Sequence, residues 1–177
     1  GGEWGGHPPP APSRGGDRVS PFLPFPPRRG RRVVYIEGIS LSRQSTGYAS
    51  ALFRRYERLF HDLGFHLFRL KASLSVGKYY WAKEGFDCSD RVQFQGVRDG
   101  LRDLVRKRGL PVGEQEVRRL THMSDVAAFR RDLRILVWRD REGYYTLERD
   151  EAHPEEFLFP LGKAFLLCSA PWDGHKV

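Results

Sequence analysis

Cysteine is scarce in this chain, and its spacing excludes two common kinds of site. Cys88 and Cys168 are the only cysteines in 177 residues, and neither belongs to a C-x-x-C pair. A zinc site built on paired cysteines and a thioredoxin-like redox motif both need that spacing. Two thiols in a chain of this size suit a reducing compartment, although a single disulfide stays an alternative. We therefore expect a cytoplasmic protein.

Histidines are few and scattered, which argues against a metal centre. The six histidines come closest at His61 and His66. A helix-to-strand turn is expected between these two residues, so they should not share a ligand face. The sequence predicts no metal site.

Long apolar runs and the familiar nucleotide loops are also missing. No segment approaches the ~20 apolar residues that a membrane helix needs, so no membrane contact is expected. The patterns G-x-x-x-x-G-K-[ST] and G-x-G-x-x-G do not occur. The chain therefore lacks the P-loop and the dinucleotide-binding fingerprint.

Acidic residues are outnumbered by basic ones, 22 against 30, which gives a formal net charge of +8. This excess indicates either an anionic partner, such as nucleic acid or a polyphosphate cofactor, or a solvated basic surface. The basic residues are spread along the chain, and no aromatic-plus-basic RNA motif accompanies them. This distribution favours a solvated surface.

Composition divides the chain into a tail and one domain. Residues 1–31 are rich in Gly, Pro and Arg, which predicts an extended or disordered segment. Residues 32–177 are expected to form a single α+β or α/β domain with a mixed sheet. Its parts are a β-α-β-α core at 33–90, and helices, a hairpin and a last strand at 91–177.

The core elements follow from local patterns. The β-branched and aromatic run 33–41 predicts a strand with little exposed face, and Gly38 within it suggests a bulge. A helix over 47–63 and a strand over 65–72 follow, which predicts a parallel pair with a right-handed crossover. The apolar residues expected to form the buried face of this helix are Leu52, Tyr56, Leu59, Phe60 and Leu63.

The remaining elements are expected at shorter segments. Gly64 and Gly85 should end the first two helices. The second of these helices, over 75–84, should be capped by Ser73 or Ser75. The other predicted elements are helices at 91–107, 113–120 and 124–131 (capped by Ser124), hairpin strands at 133–138 and 144–147, and a strand at 163–168.

The turn before the first helix has the chemistry of an anion site. Ser45, Thr46 and Gly47 keep the turn small, so that an anion can approach the backbone. The first amides of a helix lack intrahelical acceptors, and the helix dipole adds positive potential there. A pyrophosphate is the expected guest.

Two motifs in this region resemble those of the GNAT acyltransferase superfamily. The residues Gln44-x-x-Gly47-x-Ala49 match the pattern [QR]-x-x-G-x-[GA], between a strand and an amphipathic helix. Downstream, residues 79–86 read YYWAKEGF, similar to the family's helix that ends in an aromatic residue, three more residues and Gly-Phe. The resemblance covers residues 33–86.

The resemblance implies an acyl-CoA site, with acetyl-CoA as cosubstrate. Main chain near Ile36–Ile39 would pair with the pantetheine arm, and the face of 75–81 would lie beside the thioester. The residues implied in cofactor binding are Ile39, Arg43, Gln44, Ser45, Thr46, Gly47, Tyr48 and Ala49.

The chain departs from the family at two points. Trp81 stands where the family often has a tyrosine that protonates the leaving thiolate, so Tyr80 or Tyr79 would have to replace it. The three strands and two helices that the family places ahead of its core are not seen before Val33, which predicts a fold reduced on that side. Glu37 is the candidate general base.

Three functions remain open from the sequence. The first is an acyl-CoA-dependent N-acyltransferase that acts on an unidentified amine, with Glu37, Tyr80 and Trp81 as candidate catalytic residues. The second is a catalytically inactive GNAT-like binding or structural module of a larger or phage-related assembly. The third is a basic nucleic-acid-associated protein. A homo-oligomer is a further expectation, because a reduced fold would leave a sheet edge open.

Overall fold

A computed structural model describes residues 32–37 and 47–177 of the protein. Over these residues the chain is an α+β fold with two sheets and six helices. The predicted tail 1–31 and the predicted bulge at Gly38 lie outside the described residues.

Seven strands and six helices make up the described part of the chain. The strands are β1 (Arg32–Ile36), β2 (Phe65–Ala72), β3 (Asp87–Cys88), β4 (Arg134–Arg139), β5 (Tyr145–Thr146), β6 (Glu155–Pro160) and β7 (Trp172–Lys176). The helices are α1 (Tyr48–Asp62), α2 (Ser75–Lys83), α3 (Arg91–Arg108), α4 (Glu114–Arg118), α5 (Met123–Ala127) and α6 (Leu161–Cys168).

The first sheet is mixed and has the order β1-β2-β7-β3. Strands β1 and β2 run parallel, with α1 as the connection between them, whereas β7 runs antiparallel to both β2 and β3. The predicted β-α-β unit is thereby confirmed. The second sheet, β5-β4-β6, is antiparallel throughout and contains the predicted hairpin.

Strand β1 is more exposed than its sequence predicts. Tyr35 is 60% exposed and Val33 is also exposed, whereas Val34 and Ile36 face the core. The expectation of a strand with little exposed face is wrong over the described residues. The reason is position, because β1 stands at the edge of the described sheet and only one of its faces is packed.

The buried face of α1 also differs from the predicted one. Tyr56, Leu59 and Leu63 are about half exposed, and the residue buried most deeply is Phe53. Successive helical residues lie about 100° apart. When Phe53 packs against the sheet, the helix face that the sequence predicted to be buried is therefore turned partly toward solvent. Only Phe60 of the predicted face packs against the core cluster.

The predicted serine caps are wrong, whereas the glycine stops are confirmed. Leu74 occupies the N-cap of α2 and His122 that of α5, in place of Ser73 or Ser75 and of Ser124. In α5 the Asp125 carboxylate accepts hydrogen bonds from the backbone amides of Thr121 and His122. Gly64 and Gly85, which follow α1 and α2, both have the positive φ that glycine adopts without strain.

The segment 163–168 is a helix rather than the predicted strand. It forms most of α6, whose residues are buried on nearly all sides. A short segment that is apolar all round has no periodicity to separate strand from helix, and this is why the prediction failed. The strands of this region lie on either side of the helix, as β6 and β7.

One contiguous core joins the two sheets. Four aromatic rings form its centre near α1, and Phe53 lies 5.3 Å from Trp81 and 5.7 Å from Phe86 between ring centroids. Helix α6 supplies Leu161, Leu166 and other buried residues between α2, α5 and the second sheet. Because α6 contacts α2 on one side and the second sheet on the other, the core is continuous from β2 to β4.

Substitutions at two glycines, one in α6 and one in α3, test how closely α6 packs against α5. A Cβ at Gly162 would overlap the carbonyl oxygen of Val126 and stand 3.0 Å from the amide nitrogen of Phe129, whereas a Cβ at Gly96 in α3 meets nothing within 4 Å. We expect Gly162→Ala to lower the free energy of unfolding by about 1–3 kcal/mol, because backbone must move. Gly96→Ala should raise it by about 0.5–1 kcal/mol, because alanine favours the helix.

Urea denaturation followed by circular dichroism measures both changes. Equal effects of the two substitutions would contradict the close approach of α6 to α5.

Candidate functional site

The N-terminus of α1 begins with a glycine. Gly47 is the N-cap residue, with φ 73°, and among the described residues nothing lies within 4 Å of a Cβ built on it. The first intrahelical bond runs from the amide of Ala51 to the carbonyl of Gly47, and no acidic residue stands in the first turn. The amides ahead of Ala51 therefore have no intrahelical acceptor, and an anion is favoured at such a helix end.

Part of the predicted pyrophosphate loop can be located. Gly47 and Tyr48 are exposed and Ala49 is half-buried at the start of α1. The other predicted cofactor-binding residues, Ile39, Arg43, Gln44, Ser45 and Thr46, lie outside the described residues.

A polar cluster links the first turn of α1 to the end of α2. The Ser50 hydroxyl donates a hydrogen bond of 2.5 Å to Oε1 of Glu84, whose side chain is only 5% exposed. Nε of Arg54 lies 3.9 Å from the other carboxylate oxygen of Glu84. Sequence reasoning missed Ser50 and Glu84, because no local pattern pairs residues 34 positions apart.

Tyr80 lies beside this cluster. Its hydroxyl oxygen is fully buried and makes no hydrogen bond of good geometry with the described residues. Burial raises the pKa of Tyr80 above its ordinary value, against a smaller opposing effect of the neighbouring Ser50 hydroxyl. The phenol is therefore protonated at neutral pH and keeps a proton to donate.

Trp81 is a core residue. It is 7% exposed, and its ring packs edge-to-face against Phe53, Phe86 and Tyr80 at centroid distances of 5.3, 5.2 and 4.9 Å. An indole N–H donates a hydrogen bond but does not ionise at neutral pH, so the chemistry open to Trp81 is limited to contact and donation. Tyr79 faces away from this cluster, toward the ammonium of Lys163 at 5.5 Å.

Glu37 lies at the end of β1. It is exposed and follows Ile36, which pairs with Leu70 of β2. Arg32, at the other end of β1, donates a hydrogen bond to the carbonyl of Leu63 after α1. Because α1 runs back along the parallel pair, Glu37 and Gly47 belong to the same end of the sheet.

A further ionisable group, that of Lys78, is buried between α2 and α6. Lys78 is 6% exposed, donates to the carbonyl of Ser169, and has its pKa lowered mainly by burial. This carbonyl belongs to the C-cap residue of α6, where a cation offsets the negative end of the helix dipole. This contact with the end of α6 explains why Lys78 is buried.

The structure corrects one expectation about histidine. Nδ1 of His61 lies 3.2 Å from Nδ1 of His66, so the helix-to-strand turn brings these rings together instead of separating them. In the described part of the chain no group of three or more potential ligands surrounds them or any other point.

No protein-family model, no curated protein and no solved structure matches the chain at a significant level. Within the described ranges, no helix is long and apolar enough to cross a membrane.

The two cysteines provide a check on the described core. Both are free, and burial raises the pKa of each thiol to about 12. We expect Cys88 and Cys168 to react slowly with a disulfide reagent at pH 8, because at that pKa only about one thiol in ten thousand is ionised. Unfolding in urea should bring both to the rate of a free thiol.

A native thiol that reacts as fast as a model peptide would contradict the burial described here. A titration of thiol release against time, with and without urea, measures the two rates.

Proposed function

We propose that the protein is an acyl-CoA-dependent N-acyltransferase that transfers an acyl group, acetyl in the simplest case, to an amine. The observation that carries the proposal is the N-terminus of α1 at Gly47, which no described residue obstructs and which follows β1 in the parallel pair β1 and β2. It is supported by the resemblance of Gln44-x-x-Gly47-x-Ala49 to the GNAT pyrophosphate motif.

The geometry suits a pyrophosphate for three reasons. The glycine has no side chain to block approach, the first-turn amides point outward, and no carboxylate of that turn repels an anion. Helix N-termini of this kind hold phosphate groups through backbone donors and the helix dipole. The parallel pair followed by α2 has the element order expected of a GNAT-like β-α-β-α core.

The chemistry is direct transfer. The amine nitrogen attacks the thioester carbonyl, the C–N bond forms, the C–S bond breaks, and the sulfur leaves with the electron pair as a thiolate. The amine loses a proton, for which the exposed carboxylate of Glu37 is the proposed acceptor, and the thiolate gains one, for which the protonated phenol of Tyr80 is the proposed donor.

An inactive binding module is the second candidate, and one observation favours it. Trp81 occupies the position where the family often has its tyrosine, and the Tyr80 hydroxyl is buried beside Ser50 instead of open to solvent. Such a protein would bind acyl-CoA at the same helix end without turnover.

A charge placed at the helix end tests the binding site. We expect Gly47→Asp to weaken acetyl-CoA binding by about tenfold or more, because a carboxylate there repels the pyrophosphate. Isothermal titration calorimetry at fixed ionic strength measures the affinity.

The matched control is Gly109→Asp. Gly109 also has a positive φ, 57°, and also has nothing within 4 Å of its Cβ position, but it follows α3. This variant introduces the same charge and a similar backbone demand, and it should bind acetyl-CoA as the unchanged protein does. No binding by the unchanged protein at millimolar acetyl-CoA would overturn the proposal.

Tyr80→Phe separates turnover from binding. We expect kcat for thiol release in the presence of amines to fall by about a hundredfold, because the proton donor is lost. Acetyl-CoA affinity should not change, and stability should hold or rise slightly, because the lost hydroxyl is buried without a good hydrogen bond. Unchanged kcat would remove Tyr80 from the mechanism, and no release by the unchanged protein would favour the binding module.

A further inference from the structure

A basic cleft of about 390 Å³ opens along one side of α1. Helix α1, the end of α2 and strand β7 supply its lining, all of it from described residues. A cleft of this volume accommodates a small molecule. Every lining residue is ionisable: four are Lys or Arg, two are Glu and one is His.

The two carboxylates of the basic cleft already have cations of their own. Glu57 pairs with Lys176 at 2.7 Å, and their side chains are only 17% and 24% exposed. The Lys176 ammonium also lies 5.6 Å from the centroid of the Phe53 ring, which holds this pair against the core. Glu84 is buried, and the nearest cation to it is Arg54, whose Nε lies 3.9 Å from its carboxylate.

Two cations of the basic cleft have no such partner. Among the described residues, no carboxylate lies within 4 Å of Arg58 or Lys83, and both residues are exposed. Lys83 lies near a like charge instead. Burial lowers the pKa of Lys163, and the neighbouring Lys83 ammonium lowers it further. An anion bound beside Lys83 would relieve this repulsion.

The cations approach the basic cleft from two helices. Arg54, Arg58 and His61 are four and three residues apart, which places them on neighbouring turns of one face of α1. Lys83 belongs to the last turn of α2 and lines the same cleft. A small anion can therefore contact Arg58 and Lys83 together.

The geometry points to this cleft as a binding site for a small phosphate monoester, in which Arg58 and Lys83 contact the phosphate. Such a group has a charge near −2 at neutral pH and three acceptor oxygens, which suits a guanidinium fork and an ammonium. Apart from His61 the lining contains no aromatic residue, so it offers little surface on which a nucleobase could stack. The ligand class is accordingly the sugar phosphates and not the nucleotides.

This cleft is separate from the proposed acyl-CoA site. Its lining residue closest to Gly47 in the chain is Arg54, about 10 Å along the helix axis at a rise of about 1.5 Å per residue. A failure of acetyl-CoA to bind would leave the cleft as a sugar-phosphate site. A failure of sugar phosphates to bind would leave the Gly47 site as proposed.

Isothermal titration calorimetry with ribose 5-phosphate and ribose, at neutral pH and fixed ionic strength, tests the cleft. The unchanged protein should bind ribose 5-phosphate with a Kd of about 1 mM or lower, and ribose about tenfold or more weakly, because the two ligands differ in the phosphate. Adenosine 5′-monophosphate should bind no more tightly than ribose 5-phosphate, because the lining does not provide a stacking surface for the base.

Two arginines of α1 form a matched pair of variants. Arg58→Gln should lose part of the affinity for ribose 5-phosphate, and the double variant Arg58→Gln, Lys83→Gln should lose about tenfold or more. Arg55→Gln is the control, because Arg55 is an exposed arginine of the same helix that does not line the cleft. It removes the same charge and should keep the affinity. Thermal unfolding without ligand establishes that all variants are folded.

Three results would contradict the assignment. Equal binding of ribose and ribose 5-phosphate, or no binding of either at millimolar concentration, would overturn the site. A loss in Arg55→Gln equal to that in Arg58→Gln would assign the effect to net charge and overturn it as well. If adenosine 5′-monophosphate bound about tenfold more tightly than ribose 5-phosphate, the base would be recognised and the assignment to sugar phosphates would be wrong.

Discussion

The seating of Phe53 is the contact on which the rest of the candidate site depends. Its ring is 2% exposed and packs edge-to-face on Phe68 and Trp81, at centroid distances of 6.2 and 5.3 Å. Aromatic pairs of this geometry add to the free energy of burial and restrict orientation. This contact fixes α1 against β2 and α2 in both position and rotation. The direction of the α1 amides and the reach of Ser50 to Glu84 both follow from that rotation.

Trp81 takes part in the same contact. The Trp81 ring contacts both Phe53 and Phe86, so it belongs to the packing that holds α1. The nearest phenol is that of Tyr80, one position earlier and about 100° round the helix, which directs it toward Ser50. Of these two neighbouring residues, Trp81 packs the core and Tyr80 carries the ionisable group.

How much the sequence predicts depends on whether the determining interaction is local. The bounds of β2 and the ends of α1 and α2 were predicted well, because glycines with positive φ mark those ends. The buried face of α1 was not, because two apolar stripes compete on that helix and only the sheet selects Phe53. Strand β7 was missed because its residues, WDGHK, have no apolar alternation, and its place between β2 and β3 is set by long-range pairing.

The candidate site likewise contains residues set by local sequence and residues set by long-range packing. Gly47 could be found from the sequence, since a helix end and its turn are contiguous in the chain. The pair Ser50 and Glu84 could not, because the two residues meet only when α1 packs on α2.

The distribution of ionisable groups restricts where chemistry can take place. Burial keeps the thiols of Cys88 and Cys168 protonated, and Lys78 is occupied by the carboxyl end of α6. Elsewhere in the described chain, many surface charges are paired, as Lys107 is with Glu148. The contact between α1 and α2 differs because it brings the buried carboxylate of Glu84 and the protonated phenol of Tyr80 close to the first turn of α1. An anion at the N-terminus of α1 would gain from the backbone dipoles of the first turn, which the fold supplies without any further rearrangement.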